Sequence, residues 1–106
     1  MIMREFIGVS NENFKKGIVK EIGAKGFVII EVIAAYADFD TRQAIVSIET
    51  IANKTGMGYT TATRVINGLV ERGYITKQII PTRMGLRPIF KILDERFELI
   101  RLEDEE

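Results

Sequence analysis

The 106-residue sequence contains no cysteine, no histidine and no tryptophan, and only two prolines. Without cysteine there is no disulfide scaffold, no thiolate zinc site and no thiol nucleophile. Without histidine the commonest general base and the commonest metal ligand are missing. A catalytic site would have to be assembled from carboxylates, lysine or serine, and no motif gathers them. Gly56-Met57-Gly58 lacks the lysine and hydroxyl residue that would follow in a phosphate-binding loop. The expectation is a non-enzyme with no cofactor and no metal. Long apolar runs are absent too. The longest, from Phe27 to Ala37, is interrupted by Glu31 and is too short to span a bilayer. The start, Met1-Ile2-Met3-Arg4-Glu5, leads into no apolar targeting segment. A cytoplasmic protein without a membrane partner is expected.

What is present is an ordinary globular balance, 46% hydrophobic and 28% charged residues, enough for one domain. The formal net charge is zero, from 15 basic and 15 acidic side chains, but the two signs are segregated. Residues 94–106 hold seven acidic and two basic side chains, whereas residues 54–91 hold seven basic and one acidic, Glu71. The expected organisation is a domain over 1–93 and an amphipathic, acidic C-terminal segment over 94–106.

Local signals set the element order. Phe6-Ile7-Gly8-Val9 reads as a short N-terminal strand, and 13–16 as one helical turn ended by Gly17. The β-branched run beginning at Phe27 is too long for a strand, so a helix from about Ala24 to Ala37 is expected. It is apolar nearly all round, which leaves a surplus face to be covered. Arg42 to Val46 reads as a strand. Ser47 is a good N-cap for a short helix ending at Lys54, with Glu49 favoured in its first turn. After Thr55-Gly56-Met57-Gly58, a longer helix runs from Tyr59 to Arg72 and stops at Gly73. Residues 74–80 and 89–93 are β-rich, and Pro81 and Pro88 bracket the segment between them, giving a hairpin with an eight-residue tip. Gly68, mid-helix, is read as a close-packing position and Met57 as core. Leu93, Phe97 and Ile100 fall at helical spacing, so a helix over 94–102 is expected.

Two helices joined by a tight glycine-containing turn make a helix-turn-helix, and a basic hairpin directly after it makes the winged variant. The run from Ser47 to Ile75 resembles the winged helix-turn-helix superfamily in Ile51-Ala52, Thr55-Gly56, Thr61, Arg64, Leu69 and Gly73-Tyr74-Ile75. Gly58 departs from that pattern, which often has serine there; its side chain cannot cap the helix. The flanks Phe6-Ile7-Gly8-Val9 and Ala35-Tyr36-Ala37-Asp38 are similar to N-terminal domains of bacterial phage and plasmid replication-initiation proteins of the DnaD type. The resemblance implies an α+β, mostly α fold: a three-helix core with a β-hairpin wing, a short N-terminal strand and a C-terminal helix.

Periodicity supports the second helix of the motif independently. At 100° per residue, Ala62, Val65, Ile66, Leu69 and Val70 form one apolar stripe, and Thr60, Thr63, Arg64 and Asn67 fall opposite it. Helix residues that read base edges from the major groove need such a face. Arg suits the O6 and N7 of guanine, and Asn the N6 and N7 of adenine. The expected DNA-binding residues are Tyr59, Thr60, Thr61, Thr63, Arg64 and Asn67 on the helix, with Lys77, Arg83 and Arg87 on the hairpin. Glu71, on the same face, should lie beyond the DNA.

The expected function is double-stranded DNA binding, with the helix of residues 59–72 in the major groove and the basic segment 81–88 on the backbone. Replication initiation of phage or plasmid type, acting with replication proteins, is favoured by the flanking resemblance. Transcriptional regulation by a dimer on a palindromic operator competes with it, and a winged helix used for protein assembly is a further reading. The surplus face of the first helix and the apolar residues near the C terminus fit a homodimer contact.

Overall fold

A computed structural model describes residues 17–97 and 99 of the chain. The expected strand over 6–9, the helical turn over 13–16 and the acidic end lie outside the described residues. The element order is α1 (Ile18–Ile22), α2 (Ala24–Tyr36), β1 (Gln43–Ile45), α3 (Ile48–Thr55), α4 (Tyr59–Glu71), β2 (Ile75–Thr82) and β3 (Gly85–Ile92). The strands form one antiparallel sheet in the order β1-β3-β2. This is an α+β winged helix.

The apolar run from Phe27 is helical, as its length requires. Phe27, Ile29, Ile30, Ile33 and Ala34 of α2 are buried and meet Ile51 and Ala52 of α3, Ala62, Ile66 and Leu69 of α4, and Ile75, Phe90 and Ile92 of the sheet. Gly26 lets α2 approach α4 closely. A Cβ placed there would stand 2.7 Å from Cγ2 of Ile22 and 3.0 Å from Cδ2 of Leu69.

Helix α1 is not expected from the sequence. It is only five residues long, too short to show a period, and Gly23 (φ 96°) separates it from α2. Ile18 and Ile22 anchor it in the core. Arg72, fifty residues away, donates from Nη2 to the Glu21 carbonyl at 2.7 Å and from Nη1 to that of Ile22 at 3.4 Å. A guanidinium thereby satisfies carbonyls that a helix C-terminus leaves open.

The hairpin differs from its expected form. The strands run to Thr82 and from Gly85, so the turn is Arg83-Met84 and not an eight-residue tip. The prolines do not break the ladder. Pro81 lies on edge strand β2, and Pro88 lies on β3 beyond Ile89–Lys91, the only stretch that β1 pairs. Each therefore has an unpaired side toward which the missing N–H can face.

The expected C-terminal helix is not seen at its start. Asp94 to Phe97 forms a turn, in which the Asp94 carboxylate accepts from the Arg96 backbone N–H at 2.9 Å. Such local side-chain bonding competes with helical hydrogen bonding. Phe97 is buried against Phe27 of α2, ring centroids 5.6 Å apart.

Candidate nucleic-acid interface

The corner between α3 and α4 is built from its own sequence. The Ser47 Oγ accepts from the Thr50 N–H at 3.0 Å and starts α3. At the other end Gly56 is left-handed (φ 78°), and its N–H reaches the Ala52 carbonyl at 2.9 Å. The Thr55 hydroxyl lies 2.9 Å from the Ile51 carbonyl oxygen and accepts from the Met57 N–H at 3.3 Å. Gly58 is extended and begins α4 with no side-chain cap. The N–H groups of the first turn of α4 are thus left without the usual capping partner, at the positive end of the helix dipole. Gly73 ends α4 in a left-handed conformation (φ 83°). Its N–H bonds Val70 at 3.1 Å, and that of Tyr74 bonds Leu69 at 3.0 Å, a double closure of the last turn.

The amphipathic reading of α4 holds in three dimensions. Ala62, Ile66 and Leu69 are buried, Val65 and Val70 half-buried, and Thr60, Arg64 and Asn67 exposed. Tyr59, Thr60, Thr63, Arg64, Asn67, Gly68 and Glu71 line one shallow groove along the solvent face. The fold therefore brings five of the expected site residues together. Arg64 makes no hydrogen bond or ion pair with any described residue. Thr63 is the exception within the groove. Its Oγ1 is buried without a partner among the described residues. Thr61 is half-buried and lies outside the groove. Glu71 lines the far end of the groove, as the last residue of α4.

Gly68 is corrected by the structure. A Cβ there meets nothing within 4 Å, so it is no close-packing position; Gly26 has that role. On the wing, Lys77 is half-buried opposite Phe90, and Arg87 is half-buried opposite Ile80. Arg83 is exposed in the two-residue turn and has no partner among the described residues.

The sequence counts Arg72 among the basic residues of this region, but its guanidinium is held by α1 and stacks over the Tyr74 ring at 5.0 Å. Beside it is a charged cluster that no motif announces. Arg96 donates to the Glu21 carboxylate at 2.9 Å and 3.1 Å and to Asp94 at 2.7 Å, and the Tyr74 hydroxyl donates to Glu21. The hydrogen bonds from Arg96, and then from Tyr74, lower the Glu21 pKa from 4.5 to about 2. The same pairings lower Asp94 and raise Tyr74. These residues lie far apart in sequence, so only the folded chain assembles them. No group of residues with metal-ligating spacing occurs among the described residues, and no helix there is long and apolar enough to cross a membrane.

A family model described as a helix-turn-helix domain matches residues 20–75. That is just over half of the chain, and the chain belongs to this family. Among solved structures it is similar to the Vibrio cholerae ferric uptake regulator (Fur), whose crystal structure is described as revealing structural rearrangement of the DNA-binding domains. The identity is 18%, the match covers 86% of this chain and 78% of that one, and the TM-score is 0.47. No curated protein matches the chain by sequence.

Proposed function

We propose that this helix-turn-helix chain binds double-stranded DNA, with α4 in the major groove and the β2–β3 wing against the adjacent backbone. The observation that carries the reading is the exposed face of α4, where Thr60, Asn67 and an Arg64 with no partner among the described residues share one groove. Arg64 and Asn67 are the base-reading residues in this account, through the edges of guanine and adenine. Tyr59, Thr60, Thr61 and the uncapped first turn of α4 approach phosphates. Thr63 supplies a methyl contact, and Lys77, Arg83 and Arg87 add positive charge on the wing. An assembly role would favour an acidic or apolar face in place of this one.

Fluorescence anisotropy with mixed-sequence duplex across a salt series tests the reading. Log affinity should fall against log salt with a slope of about −0.9 for each phosphate neutralised. Arg64→Ala should weaken binding, by about 1–3 kcal/mol at a site containing its preferred base pair. No binding at low salt contradicts the proposal and leaves a protein partner as the occupant of this face.

Of the two biological roles, replication initiation rests on the resemblance of Phe6 to Val9 and Ala35 to Asp38. The first of these segments lies outside the described residues. Site selection followed by ultracentrifugation separates the roles. A two-fold dimer on a palindrome supports regulation, because operator symmetry mirrors protein symmetry. A monomer on an asymmetric site supports replication initiation with partner proteins.

A further inference from the structure

The wing carries a feature that phosphate contact does not use. We propose that its tip is an apolar wedge, Met84 with Leu86, that enters the minor groove, opens a base-pair step and kinks the duplex. This inference rests on the DNA-binding reading above.

Met84 and Leu86 are 75% and 68% exposed, the two most exposed large hydrophobic residues described. They stand at the end of a ribbon whose inner face is apolar beyond the core. Ile75 and Ile92 pair on that face and are buried, as is Phe90 opposite the half-buried Lys77; outward follow Ile79 opposite Pro88 and then Pro81 opposite Leu86. The apolar ladder thus runs two rungs past the last side chain the core can cover.

The tip is held in shape. The Thr82 hydroxyl donates to the Gly85 carbonyl at 2.7 Å and accepts from the Met84 N–H at 3.1 Å. Gly85 has φ 105°, a conformation that side chains rarely adopt. A turn ordered in this way presents Met84 at little further entropic cost.

Charge complementarity selects the occupant. In sequence Arg83 and Arg87 bracket the two apolar residues, with Arg87 on the opposite face of the ribbon from Leu86, and residues 72–93 contain five basic side chains and no acidic one. A cationic frame around an apolar tip matches a groove whose rims are phosphates and whose floor is stacked bases. Arginine is drawn to the negative potential of a narrow minor groove. Met, Leu and Pro are residue types that wedge between base steps and bend DNA by roughly 20–90°.

The test uses the full chain and a duplex labelled at both ends for energy transfer, with 2-aminopurine scanned through the steps flanking the α4 site. Native protein should shorten the end-to-end distance and raise 2-aminopurine emission at one step. Met84→Ala with Leu86→Ala should still bind, with anisotropy and salt slope retained, but leave the duplex straight and the probe stacked. Met84→Lys, which adds attraction to phosphate while removing the apolar tip, should bind at least as tightly as native and also fail to kink. Native protein that binds without bending, or variants that bend as native does, overturns the wedge and leaves the DNA-binding reading intact. Absence of native binding overturns both. Association of native protein with anionic vesicles that is lost in Met84→Lys, with no step opened in DNA, assigns the tip to a lipid surface and overturns the wedge.

Discussion

At the scale of single residues, two glycines of similar context behave oppositely. Both lie inside thirteen-residue helices. Gly68 has open space where a methyl group would stand, so Gly68→Ala should stabilise the chain by about 0.5–1 kcal/mol through backbone entropy. Gly26 is closed in by Ile22 and Leu69, both buried, so Gly26→Ala should destabilise it by about 1–3 kcal/mol. Urea denaturation of the two variants should show midpoints displaced in opposite directions. Glu71 places a negative charge in the groove that Arg64 lines. Glu71→Gln should raise affinity for duplex DNA at low salt, with the gain shrinking as salt screens it. Glu21 gives a pH signature. Its folded pKa is about 2 against an ordinary 4.5, so its contribution to stability is fully present above about pH 4.5 and is lost as pH falls toward 2. Thermal unfolding measured between pH 7 and pH 2.5 should show a smaller acid loss for Glu21→Gln than for the native chain.

At the scale of elements, legibility follows the range of the signal. Helices α3 and α4 are readable because their determinants are local: the Ser47 cap, the Gly56 and Gly73 closures, and the stripe of Ala62, Ile66 and Leu69. Ser47→Ala should cost about 1 kcal/mol in an equilibrium unfolding experiment, because the Thr50 N–H loses its acceptor. Helix α2 is readable by length against β propensity. Helix α1 is not, since Arg72, distant in sequence, completes its C-terminus. The hairpin is readable, but its tip is misread from sequence for a related reason. Pro81 and Pro88 suggest strand ends, and only the sheet order shows that each lies on an unpaired side. The turn from Asp94 likewise depends on Arg96 meeting Glu21 across the fold. The helical part of the candidate interface is therefore visible in the sequence, while the short, apolar tip of the wing is not.

At the scale of the whole molecule, zero net charge conceals a division of labour. The basic residues of 54–91 are partly structural, since Arg72 is tied to α1, but Arg64 and Arg83 stand unpartnered among the described residues on the motif's own elements. Phe97 on Phe27 joins the beginning of the acidic segment to the core. On α2, Val32 is half-buried and Val28 exposed, and sedimentation as a function of concentration tests whether a second copy of the chain covers this face. The most direct test of the central claim, that the α4 face and the wing form one DNA-binding surface, is an amide NMR titration of the full chain with duplex DNA. The predicted result is a contiguous set of shifted or broadened signals over Tyr59 to Asn67 and Arg83 to Arg87, with the buried turns of α2 unchanged. Shifts confined to α2 and the Phe97 turn, or no shifts at low salt, would contradict it.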